Sequence, residues 1–106
     1  MATVIVNSGA CGFDVTIIAE KNPDGKIAIS LDTQCEMVKQ MLGDITVLDQ
    51  AVVFTKFVNN PVYLSASKHL RHAACPVPSA ILKTIEVEAG LNVAKDANIA
   101  FVKKEK

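Results

Sequence analysis

Two hydrophobic periods divide the chain. Up to Leu31 the apolar positions recur with a period of two, and beyond Thr33 they recur with helical spacing. Thr3-Val4-Ile5-Val6 is a short β-branched run, followed by the glycine-bearing turn Asn7-Ser8-Gly9-Ala10-Cys11-Gly12. Phe13 to Glu20 alternates through Thr16 and then turns wholly apolar. Asn22-Pro23-Asp24-Gly25 is a strong turn signal, because proline presets φ and Asp-Gly suits the tight end. Lys26 to Leu31 resumes the alternation, with Ile27, Ile29 and Leu31 on one face. These segments predict a three-stranded antiparallel meander.

The second part predicts helices. Thr33-Gln34-Cys35-Glu36 fits a capping box, and Met37, Val38, Met41 and Leu42 follow at helical spacing before Gly43. A second helix is expected from Leu48 to Phe57, ended by Asn59-Asn60-Pro61, and a short one near Ser65–Leu70. The clearest helix runs from Pro76 to Ala89. Its early prolines sit where backbone N–H groups have no intrahelical partner, and Gly90 supplies a left-handed stop. Asn98–Val102 is a candidate fourth strand, and Lys103–Lys106 reads as a solvated tail. The pattern defines an α+β fold with helices packed on one face of the meander, in a single domain spanning residues 1–106.

Charge narrows the function classes. Eleven basic and eleven acidic side chains cancel, so no basic excess attracts nucleic acid or an anionic membrane surface. Aromatic residues make up only 5% and tryptophan is absent, which argues further against base-stacking platforms. No apolar run approaches the ~18–20 residues that span a bilayer, and the first residues lack the pattern of a signal peptide. The expected location is the cytoplasm. No Ser–His–Asp elbow, phosphate-cradling glycine loop or paired-carboxylate site is present, so a non-enzymatic role is expected.

The cysteines carry the candidate chemistry. Three is an odd number, and in a reducing compartment thiols or a metal site are expected rather than a disulfide framework. Two successive hairpins return the chain to the end of the sheet where Cys11 sits, and there hand it to the helix that opens at Cys35. Cys11 and Cys35 should therefore share one end of the sheet. Cys75 directly precedes the proline-started helix, where the helix dipole favours thiolate, with Lys68 and Arg71 nearby in sequence. All three lie at element junctions, a placement suited to a soft metal. His72 and Asp14 are the candidates for a fourth ligand; His69 is the other histidine.

The order Ala10-Cys11-Gly12, Cys35, then His72 and Cys75 before a long last helix resembles the U-type iron–sulfur cluster assembly scaffold, the N-terminal domain of NifU. The resemblance covers about residues 3–90 and implies a SufE/NifU-like architecture and a site of Cys11, Cys35 and Cys75 for an iron–sulfur cluster or zinc. It also implies a cysteine desulfurase and apo iron–sulfur proteins as partners. In that family an aspartate follows the first cysteine by two places; here Phe13 holds that place and Asp14 comes one later. Ala74 stands where the scaffold has a histidine, and its Leu-Pro-Pro-Val-Lys motif is absent. The chain is also similar to short uncharacterised three-cysteine proteins of anaerobic bacteria and archaea, through His72–Ile81 and Glu86–Leu91. The expected function is thus a metal- or cluster-binding scaffold or carrier. The alternatives are a sulfur relay with one activated thiol, or a cysteine-bearing interaction domain.

Overall fold

Alternation at the start of the chain becomes a sheet in the computed structural model, which describes residues 1–103; the rest of the predicted tail, 104–106, lies outside them. β1 (Ala2–Asn7), β2 (Asp14–Lys21) and β3 (Lys26–Thr33) form the expected antiparallel meander. Val6 pairs with Val15 and Val15 with Thr33, while Lys21 pairs with Ile27 at the opposite end. Because successive strand residues face opposite sides, Val15, Ile17, Ala19, Ile27 and Ile29 all enter one core. Burying a side chain of this size contributes about 1.5–3 kcal/mol.

The turns explain the hairpins. At the lower one Gly25 has φ +89°, and Asp24 Oδ1 accepts the Lys26 N–H at 3.0 Å. At the upper one Gly9–Cys11 forms a single 3₁₀ turn between two glycines of positive φ, Gly9 and Gly12. Asn7 Oδ1 accepts the Gly9 N–H at 2.9 Å and starts that turn.

The fourth strand is not Asn98–Val102. It is β4 (Val47–Asp49), which pairs with β3 through Ile27↔Leu48 and gives the order β1-β2-β3-β4. The helix expected over Leu48–Phe57 is accordingly absent. Leu48 alone of β4 is buried, between exposed neighbours, which is the strand period. Asp49 Oδ1 then accepts the Ala51 N–H at 2.9 Å and opens a 3₁₀ turn, Gln50–Phe54. In that turn Val52 is buried while Phe54 is exposed, so no continuous helical face exists to dock. Asn98–Val102 carries no regular secondary structure.

Three helices cover the core face. α1 (Glu36–Leu42) packs on β3, α3 (Val77–Glu88) packs on β1 and β2, and α2 (Pro61–His69) joins the two helices. α1 starts later than a capping box at Thr33 would place it. Thr33 ends β3, and its Oγ1 accepts the Cys35 N–H at 3.1 Å, which leaves Cys35 as N-cap. α2 begins earlier than expected because Asn60, a chain breaker in the sequence, is its cap: Oδ1 accepts the Val62 N–H at 3.0 Å and Pro61 fills the first turn. α3 ends as expected. The Gly90 N–H reaches the Val87 carbonyl at 3.1 Å and the Leu91 N–H the Glu86 carbonyl at 2.9 Å, the paired bonds of a Schellman stop.

Candidate functional site

The upper end of the sheet gathers the thiols. Cys11 lies in the turn joining β1 to β2. Cys35 follows Thr33, whose partner Val15 neighbours that same turn. The shared end expected for Cys11 and Cys35 is therefore found. The third thiol arrives by a route the sequence reading did not trace. Glu88, at the last turn of α3, accepts the Lys21 backbone N–H at 2.8 Å through Oε2 and lies 3.3 Å from the Met1 amine through Oε1. Both partners belong to the lower end, so α3 runs downward and its N-terminal end, with Cys75, lies at the top.

Cys75 precedes the N-cap Pro76 and closes a turn in which its N–H donates to the His72 carbonyl at 3.2 Å. Cys35 and Cys75 are half-buried against the core, while Cys11 is exposed. All three are free thiols. Among the described residues no three Cys, His, Asp or Glu side chains stand close enough to form a ready-made metal site. The thiols nevertheless feel one another: Cys75 is pushed above the ordinary thiol range, chiefly by burial and further by the charges of Cys11 and Cys35. The Val77 N–H, which opposes this, is the helix-start effect that the sequence suggested, and burial outweighs it. Lys68 acts elsewhere, helping to hold the Asp44 carboxyl below its usual range.

Asp44 is itself a joint of the scaffold. The Ser65 hydroxyl, 2.8 Å away, is the chief cause of its low pKa, and His69 Nε2 follows at 3.0 Å. His69 is thereby engaged with the end of α1. His72 is exposed and lines an open groove of about 610 Å³ with Glu36 and Met37 of α1, Lys68 and Arg71. Cys35 is the residue before Glu36, so His72 borders the thiol end. Asp14 borders it from the other face. It is the first residue of β2, pairs with Asn7 without a bulge, and alternates with buried Val15. It thus lies on the helix-free face, in a shallow depression whose lining includes Gly12 and Gln34, the neighbours of Cys11 and Cys35.

The fold and these thiols define a small α+β protein with three free cysteines brought to one end of an antiparallel sheet. Residues 2–101 match a family of unknown function, DUF6951, and the chain belongs to that family. No curated protein and no solved structure matches it. No helix among the described residues is long and apolar enough to cross a membrane.

Proposed function

We propose that the chain binds a soft metal ion or an iron–sulfur cluster through Cys11, Cys35 and Cys75 and acts as a carrier or scaffold rather than an enzyme. The observation that carries this reading is the gathering of three thiols, from three separate elements, where Cys75 feels the charge of the other two. Three thiolates held together repel one another. A bound cation turns that repulsion into attraction and displaces the thiol protons, so binding and deprotonation are coupled. Cys11 joins the set from the exposed turn between β1 and β2. His72 is the candidate for an exchangeable fourth position.

The resemblance to the U-type scaffold supports the same reading and suggests a cysteine desulfurase and apo iron–sulfur proteins as partners in the cytoplasm. A sulfur relay is the weaker reading, because it needs one activated thiolate and the raised pKa of Cys75 works against that.

The test is titration of the anaerobically purified chain with zinc, and with cobalt as a spectroscopic reporter. The parent should bind one metal per chain. Cys11→Ser, Cys35→Ser and Cys75→Ser should each weaken binding by more than about tenfold, or about 1.4 kcal/mol. Equal binding by the parent and all three variants would overturn the site.

A further inference from the structure

We infer that residues Asn98–Val102 form an arm that adds as a fifth strand to the free edge of β1 in a second copy of this chain. Three observations carry this, and none involves the thiols. First, β1 is an edge strand of six residues, Ala2–Asn7, and no strand among the described residues pairs with its outer side. Folded monomers protect such an edge with lysine, proline or a bulge, and β1 has none of these: it contains no charged residue and no proline, and its register with β2 is unbroken. Ile5 on its helix-free face is 71% exposed.

Second, the arm has the composition of a strand and no place in its own molecule. Ile99 is 90% exposed, and Phe101 and Val102 are about as open. Three large apolar side chains in so short a segment are poorly placed in water, since burying each would be favourable. Alternation puts Ile99 and Phe101 on one face and Ala100 and Val102 on the other. β1 has apolar neighbours for both faces, Ile5 on one side and the partly buried Val4 on the other.

Third, the arm covers nothing at home. Every described residue from Gly90 to Lys103 is exposed, and the molecule is elongated, 56 Å along its longest axis against 29 and 26 Å across it. Arm and edge are both carried by every chain. Reciprocal exchange about a twofold axis satisfies both edges at once and closes the assembly.

Light scattering with size-exclusion chromatography on the full chain should give twice the 11.3 kDa chain mass. Hydrogen exchange should find the amides of residues 98–102 and of β1 protected. The double substitution Ile99→Asp with Phe101→Asp touches only exposed positions, so it should keep the circular dichroism of the parent. It should weaken dimerisation at least tenfold and release both sets of amides. Ile5→Lys should weaken dimerisation from the other side of the contact. A parent of single-chain mass at hundreds of micromolar would overturn the proposal. So would a dimer that survives the double substitution, or protection of 98–102 in a monomer, which would mean that the arm pairs with its own β1.

Discussion

Glu88 reaches across to the Lys21 backbone, accepting its N–H at 2.8 Å, and this bond marks the lower end of α3, which packs on β1 and β2 through Val77, Ile81 and Ile85. The Met1 amine at 3.3 Å joins the same carboxylate. With the lower end of α3 tied to the ends of β1 and β2, Cys75 stands at the far end of the helix beside the other thiols.

The Lys21 N–H, ahead of the N-terminal amine, holds the Glu88 carboxyl below its ordinary pKa of 4.5. A carboxylate with a depressed folded pKa contributes stability that is complete above its unfolded pKa and lost as the pH falls through its folded one. Glu88→Gln should therefore lower Tm at pH 7, and the difference from the parent should shrink as the pH falls below the ordinary value of 4.5 and vanish only below the depressed folded one. Thermal denaturation of the two chains across this range checks it; a gap that persists unchanged in acid would exclude the ionised contact.

Cys75 should alkylate more slowly at pH 7 than an ordinary free thiol. Its reaction rate should titrate above the reference value of about 8.5, because burial and two neighbouring thiols disfavour its thiolate. Replacing Cys11 and Cys35 by serine removes the like charges and should bring that midpoint down. Mass-spectrometric alkylation rates measured from pH 6 to 10 read both effects. A midpoint unchanged by the double substitution would mean that the thiols do not sense one another.

The fourth-ligand candidates separate by face. Both border the thiol end, His72 from the helix side and Asp14 from the helix-free side of β2. In the zinc titration, His72→Ala should weaken binding by about tenfold or less, since water can take an open position. Asp14→Ala should leave it unchanged. The reverse ranking would show that the upper turn rearranges to present Asp14.

Asn60 is 2% exposed and uses its whole amide: Oδ1 caps α2, and Nδ2 donates to the Val52 carbonyl at 2.8 Å and the Thr55 carbonyl at 3.1 Å. Losing a cap costs about 1 kcal/mol and the Thr55 carbonyl left without a donor adds about 1 more, whereas the Val52 carbonyl keeps the Thr55 N–H at 3.1 Å. Asn60→Ala should thus destabilise by about 2 kcal/mol in urea unfolding. Asn60→Asp keeps the cap but turns a buried charged oxygen toward those two carbonyls, so at neutral pH it should destabilise at least as much.

What the sequence made legible follows from how local the cause is. The meander rests on alternation and on turns written in neighbouring residues, so β1 to β3 and the shared end of Cys11 and Cys35 could be read directly. α3 was legible for the same reason, from Pro76 and Gly90 at its ends. The stretch from Leu48 to Phe57 misleads because Val52, Val53 and Phe54 look like one apolar helical run. Tertiary pairing with Ile27 decides its first part instead. Cys75 cannot be placed from its neighbours, because its position depends on how the whole of α3 packs on β1 and β2, far away in sequence. Its raised pKa is hidden for a related reason: the helix start is visible in sequence, whereas burial is not. Glu88, Asn60 and the Asp44–His69 pair went unnoticed, since nothing local marks a polar side chain for a distant partner.

The direction of α3 also gives the thiol end a timetable during synthesis. Cys11 and Cys35 can meet as soon as the first two hairpins have formed. Cys75 leaves the ribosome later, and it is placed only once α3 has packed on β1 and β2. The three-thiol end is therefore among the last parts of the molecule to be completed. A chain ending before α3 would carry its third thiol on an unanchored segment, and the three would not be held at one end.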